Sequence, residues 1–414
     1  MLITIRKYYK TLANNVGPFI SGLNLTDKKI MEYGMYLFAI VLFIGAAGTF
    51  KFIGIYLPAL FLLIRVLVKG TVYKFWKSPI FFFLILFAFS GIISVFVSRD
   101  PWQSLIFFEK YHLRSILIYL VVVTVFQNKF AFRKLLRLLA LTSIIYIVWS
   151  YYEYFFEIVM FGSIGRVTTL NAAWPLLYMF AFMIMEFFLA KTPKTKIFWV
   201  VTSYLAIVSL IISGQRAAVL GALTIGFIWV LFSSWKVKMI FMLTMISCIV
   251  TIVMLFNYFP AMQPIINDYV VRGVSSDGRS DLLTLYWNIF NENFWLGVGL
   301  DNNTISAIYM ESERTGLLTH FMMPHNYFLT TAVRQGTFGL ISFIMLIVVA
   351  ITSLVSKVFR KKNDAYKTIG IALLSCVIGM YVVYAAFTEI VLMPLIFVLS
   401  LSAVYINEKS KQFS

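Results

Sequence analysis

The chain has 414 residues, of which 61% are hydrophobic, 18% aromatic and only 13% charged. A soluble domain carries about 25% charged residues, so this composition excludes a water-soluble globular protein and points to a membrane protein with many spans. The net charge of +18 would suit nucleic acid, but the placement of the charge along the chain argues against that partner.

The first thirty or so residues mix Asn14, Asn15, Asp27 and Lys28 into any apolar stretch, so no cleavable leader is expected. Apolar runs of bilayer-spanning length follow at 33–50, 52–68, 79–97, 113–128, 136–156, 171–190, 197–213, 217–234, 239–257, 325–356, 367–386 and 390–406. A ~30 Å hydrocarbon core needs about 20 such residues in a helix, so about 12 transmembrane helices are expected. The run at 325–356 is long enough to tilt or to project beyond the bilayer.

Lys and Arg gather in alternate connections: Lys28 and Lys29; Arg65, Lys69, Lys74 and Lys77; Lys129, Arg133, Lys134 and Arg137; Lys191, Lys194 and Lys196; Lys236 and Lys238; Lys357 to Lys362; Lys409 and Lys411. By the positive-inside rule these connections and both termini face the cytoplasm. The positive charge is therefore topological.

The opposite surface is richer in single polar residues. Ser98-Arg99-Asp100-Pro101-Trp102 and Gly162–Asn171 form short outside loops, and Ser213-Gly214-Gln215-Arg216 joins two runs in a tight hairpin. The interval 258–324 is the one long polar stretch within an otherwise single integral domain over 1–414. Leu282, Leu285, Tyr286 and Ile289 lie on one face of a helix there. Ser280 or Asp277 is expected to cap it, and Gly297 and Gly299 to shape its exit turn. This interval is expected to form a small folded cap on the membrane surface. Cys248 and Cys376 sit inside apolar runs, where a buried thiol is expected and a disulfide framework is not.

His325 is the best chemical clue. Pro324 suits a first helical turn, which would place His325 at the outward N-terminal end of a membrane helix. The helix dipole disfavours imidazolium there, and a neutral imidazole is a good general base for a sugar hydroxyl. From position alone an interfacial histidine without a role is an equal reading; His320 and His112 are weaker candidates. Arg216 and Arg279 stand at outer helix ends, where guanidinium forks suit phosphate; lipid headgroups or pairing with Asp277, Asp281 or Glu389 are the other readings. Glu389, in the last outer turn, could orient a base or a hydroxyl, or be a solvated turn residue. No metal-ligand spacing, phosphate-cradling Gly-rich loop or G-x-S-x-G motif is found, so neither a metal nor another cofactor is expected.

These residues carry a resemblance. His325-Asn326, nine further residues, then Gly336-Thr337-Phe338-Gly339 resembles the His-Asn-x9-Gly-x-x-Gly signature of the bacterial O-antigen ligase family, which includes O-antigen polymerases and O-oligosaccharyltransferases. Ser213-Gly214-Gln215-Arg216-Ala217 is similar to its (S/T)-x-(Q/S)-R-(A/G/T) turn. Gly278-Arg279-Ser280, Trp287 and Gly297-Val298-Gly299 are similar to its Arg-helix-Gly-x-Gly loop.

The resemblance implies an all-α polytopic fold of GT-C-like glycosyltransferase architecture, with one large periplasmic loop containing short helices. It implies a multi-pass protein of the bacterial inner membrane, active on the periplasmic side. The expected donor is a glycan on undecaprenyl pyrophosphate and the expected acceptor is lipid A-core, with membrane lipid as surroundings and no nucleic acid. His325 would be the base, and Arg216 and Arg279 would bind the pyrophosphate leaving group. Relatives often carry Asp in the last outer turn; Glu389 stands at that place with one methylene more. One large outside loop favours the ligase over the polymerase. A secondary transporter would show internal repeats and midplane charges, and neither is seen.

Overall fold

The computed structural model describes residues 27–42, 47–69, 78–153, 170–213, 216–232, scattered positions between 235 and 254, and residues 279–312, 326–360, 364–387 and 392–407. Among these residues there are helices and no strand. In chain order they are α1 (Asp27–Val41), α2 (Gly48–Lys69), α3 (Pro79–Val97), α4 (Pro101–Phe108), a π-helical turn (Glu109–Leu113), α5 (Arg114–Val125), α6 (Lys129–Glu153), α7 (Leu170–Leu189), α8 (Pro193–Ile212), α9 (Arg216–Phe232), α10 (Arg279–Glu292), α11 (Asn302–Ser312), α12 (Tyr327–Arg360), α13 (Asp364–Phe387) and α14 (Leu392–Asn407).

Local chemistry sets several helix starts. Ser78-Pro79, Asp100-Pro101 and Thr192-Pro193 open α3, α4 and α8, and each capping oxygen accepts a backbone N–H three residues on. Proline fits the first helical position because its missing N–H would have no partner there.

Among the described residues four helices are long and apolar enough to cross a membrane: Gly48–Leu67, Pro79–Val97, Pro193–Ile211 and Tyr327–Arg360. Their outer faces are apolar. Phe52, Leu60 and Leu63 on α2 and Phe82, Phe89 and Phe96 on α3 are all exposed. Such faces need lipid rather than water around them.

The bundle packs around α14, whose side chains are buried on every side from Pro394 to Tyr405. That all-round burial is what a helix apolar on all faces requires. It lies against α5, α13 and α12, and Phe397 meets Phe38 of α1 edge to face. The other close pairs are α1 with α2, α3 with α12, α6 with α7, α7 with α8, and α9 with α13. Between α6 and α7, Arg133 Nη2 reaches Glu186 Oε1 at 2.7 Å.

Several expected boundaries shift. The run expected at 33–50 is α1, which starts at Asp27 and stops at Val41. The run expected at 113–128 starts at Pro101, because the π-helical turn joins α4 to α5 without a break. That turn is held by a bidentate pair, Arg114 Nε to Glu109 Oε1 at 3.0 Å and Nη2 to Oε2 at 2.8 Å. Ser280 is the second residue of α10 rather than its cap, since the helix begins at Arg279. The expected helical face is present: Leu282, Tyr286, Ile289 and Phe290 are buried and Leu285 packs beside them. Short helices were expected in the interval 258–324, but the sequence reading located only α10 and not α11. The run 239–257 lies largely outside the described residues.

The length of the run 325–356 has a specific explanation. Helix α12 is broken at Gly336, whose φ of 65° and ψ of −168° are not helical. Its first turn is set by Asn326, whose Oδ1 accepts Leu329 N–H at 3.0 Å and whose carbonyl accepts Thr330 N–H at 2.9 Å. The cap is therefore Asn326 and the helix starts at Tyr327, three residues later than the Pro324 start expected from sequence.

Candidate functional site

The break in α12 frees backbone groups, and the loop after α10 takes them up. Val298 N–H donates to Val333 O at 2.9 Å and Gly299 N–H to Arg334 O at 3.3 Å. In return Thr337 N–H donates to Phe294 O at 2.8 Å. The two glycine motifs are thus halves of one clamp. A Cβ on Gly297 would lie 2.6 Å from Gln335 N, and one on Gly336 would lie against the Trp295 carbonyl. Gly297 and Gly299 have φ of 71° and 118°, a region that L side chains rarely adopt. Gly339, one turn on, has Ser90 of α3 at 3.1 Å from its Cβ position, so it sets the close approach of α3 and α12.

Three buried polar groups sit under the clamp. Gln335 Oε1 accepts the Ser90 hydroxyl at 2.7 Å, and its amide nitrogen lies 3.2 Å from His112 Nε2. His112, in the π-helical turn, lies edge-on to the Phe87 ring and stacks on Phe108; a Cβ on Gly91 would lie 2.6 Å from its Nε2. Arg334 is buried, with Nη2 donating to Asn302 Oδ1 at 2.5 Å and its guanidinium 5.8 Å from the Phe107 ring centre.

Asp301 is the hub that ties the α3–α4 corner to α11. Its Oδ2 accepts the hydroxyls of Ser98 at 2.7 Å and Ser104 at 2.6 Å, and its Oδ1 accepts Thr304 N–H at 2.6 Å. The carboxylate is fully buried. Burial pushes its pKa up, but the hydrogen bonds from Ser104, Thr304 and Ser98 outweigh burial and hold it below the ordinary carboxylate value.

The residues singled out from sequence fall around this core. Arg216 and Arg279 are the first residues of α9 and α10; their side chains lie outside the described residues, as do all of His325, His320 and Glu389. The helices that carry them are brought together. Leu282, three residues after Arg279, shares one hydrophobic cluster with Leu329, four residues after His325. Phe328 of α12 meets Tyr381 of α13 at 5.3 Å between ring centres. Two residues before Tyr381, a Cβ on Gly379 would lie 3.1 Å from Gly221 O of α9, five residues after Arg216. The start of α12, the end of α13 and the start of α9 therefore form one corner of the bundle.

Arg334, Gln335 and Asp301 were not picked out by the sequence reading. Their partners Asn302, Ser90, His112, Ser98 and Ser104 come from distant parts of the chain, so the packing assembles them. His112 was a weak outside candidate and is in fact buried among helices. Cys376 is buried, as its apolar run suggested.

Fold and core together define a helical membrane protein built around a broken helix and a glycine-clamped loop. Residues 201–344 match the family model described as O-antigen ligase, about a third of the chain. The matched segment spans Arg216, Arg279, His325 and both halves of the clamp. No curated protein matches the chain.

Proposed function

We propose that the protein is a membrane glycosyltransferase that moves a glycan from undecaprenyl pyrophosphate to lipid A-core on the periplasmic face of the inner membrane. The observation that carries this reading is the family match over 201–344, which holds Arg216, Arg279, His325 and the clamp in a single segment. In this reading about 12 helices span the bilayer, residues 258–324 cap the outer face, and both termini are cytoplasmic.

His325 takes the proton from the acceptor sugar hydroxyl. That oxygen attacks the anomeric carbon of the donor, the bond from that carbon to the pyrophosphate oxygen breaks, and the configuration inverts. Arg216 and Arg279 receive the charge that develops on the departing pyrophosphate. Glu389 binds or orients at the same corner. No metal is needed here, because the arginines supply the positive charge.

The test uses purified protein with a lipid-pyrophosphate-linked glycan, once with lipid A-core and once with donor alone. Wild type is expected to give a lipopolysaccharide-sized product only in the first tube. His325→Ala is expected to lower the rate by about 10²–10⁴-fold, the usual worth of a positioned general base. Chain growth with donor alone would make the protein a polymerase with the same site. Sugar uptake by intact vesicles with no new glycosidic bond would replace the transferase reading with a transporter.

A second measurement separates charge from geometry. Arg216→Ala and Arg279→Ala are expected to lose more activity than the corresponding lysine variants, since lysine keeps the charge and loses only the bidentate fork. Alanine variants as active as wild type would remove both residues from the site.

A further inference from the structure

Beside the clamp lies a crevice of about 700 Å³ between the end of α3, the turn after α10, and α11. That volume falls within the range of small-molecule sites. Its lining includes Arg99, Glu292, Asn293, Trp295 and Thr304. We propose that this crevice is a saccharide subsite; the proposal rests on the glycosyltransferase reading and adds to it where one substrate's glycan is held.

Arg99 sits between two residues whose side chains are committed to the fold. Ser98 donates to Asp301, and Asp100 caps α4 by accepting Gln103 N–H at 3.0 Å. Arg99 itself is exposed and lines the crevice. Glu292 is the last residue of α10, where a carboxylate opposes the helix dipole; local helix energetics do not favour it there. Asn293 donates its amide nitrogen to Ile289 O at 3.0 Å, which leaves Oδ1 outside that bond.

Trp295 supplies a flat apolar face. Its backbone carbonyl is pinned against Gly336, and its ring meets Phe294 edge to face at 5.1 Å. The indole is nonetheless 72% exposed. A sugar ring presents C–H bonds on one face and hydroxyls, which both donate and accept, around its rim. An indole with a guanidinium, a carboxylate and an amide beside it matches that pattern. A lipid phosphate could pair with Arg99 but would meet Glu292 as a like charge and gain nothing from the indole face, so a neutral glycan matches more of this lining than an anionic headgroup.

The experiment uses the full chain in detergent and saturation-transfer NMR. The probes are delipidated core oligosaccharide, delipidated O-antigen oligosaccharide and, for the headgroup, glycerol phosphate. Wild type is expected to transfer saturation to the ring protons of one oligosaccharide. The signal should be lost in Trp295→Ala and kept in Trp295→Phe. In the transfer assay, Trp295→Ala and Arg99→Gln are expected to raise KM about tenfold for one substrate, more than they lower kcat. The substrate whose KM rises identifies the glycan as donor or acceptor. Saturation transfer to glycerol phosphate alone, or to no probe, overturns the proposal, as does a fall in kcat at constant KM. If wild type forms no glycosidic bond, the transferase reading fails, while the NMR result still decides the crevice.

Discussion

Gly336→Ala is expected to cost about 3 kcal/mol or more of stability and most of the folded yield. Its backbone, at φ 65° and ψ −168°, occupies a region essentially confined to glycine, where another residue pays about 1–3 kcal/mol. The added methyl would also lie against the Trp295 carbonyl and 2.6 Å from Leu296 N. Those are backbone atoms and cannot rotate away as a side chain would. Relief would require opening the clamp bonds from Thr337 to Phe294 and from Val298 to Val333. Gly48→Ala is the control: nothing lies within 4 Å of its Cβ position at the start of α2. It should be neutral or stabilise by up to about 1 kcal/mol, because alanine has less backbone freedom to lose on folding. Thermal melts in detergent compare the two. Equal melting temperatures would mean that the clamp does not hold α12. The half of α12 before Gly336 starts two residues after His325, so under the proposed function Gly336→Ala should also abolish transfer in whatever protein remains folded.

Most of the described helices, though not α4 or α11, were legible from sequence because lipid demands long apolar runs, and α10 was legible because one face had to be buried. The break in α12 was not. Arg334, Gln335 and Thr337 flank Gly336, but the apolar run resumes on both sides, and a glycine at this place does not by itself signal a break. Only the partner loop, some forty residues earlier in the chain, shows why that glycine is required. The α3–α4 corner was read as an outside loop because Ser98–Trp102 lies between the apolar runs 79–97 and 113–128. Within it Asp100-Pro101 is a cap and a first helical residue, and the continuation through Glu109–Leu113 depends on Arg114 closing onto Glu109. The candidate residues were singled out by motif, and two of them, Arg216 and Arg279, are the first residues of their helices. The buried support, His112 with Gln335 and Asp301 with its serines, was missed because its members come from distant parts of the chain. Hydrogen-bond complementarity across such distances has no local sequence period.

Asp301→Ala is expected to cost about 3–5 kcal/mol, because three buried donors lose their acceptor at once. An unsatisfied buried donor costs about 1–3 kcal/mol, and the cap of α11 goes with them. Asp301→Asn should cost less, roughly 1–3 kcal/mol, since one oxygen remains to accept and the shape is kept. The two variants also separate charge from shape through pH. The hydrogen-bonded carboxylate has a folded pKa below its ordinary value of about 3.9. Its contribution is therefore fully present above the unfolded pKa and is lost as pH falls through the folded pKa. Melting temperatures taken from pH 7 downwards should show the gap between wild type and Asp301→Asn closing below about pH 4. Parallel curves would mean that the charge does not matter and that Asp301 acts by shape alone. If the gap closes, the charge at Asp301 is what holds the α3–α4 corner to the start of α11. It then also holds Asn302, the next residue in the chain and the hydrogen-bond partner of the buried Arg334.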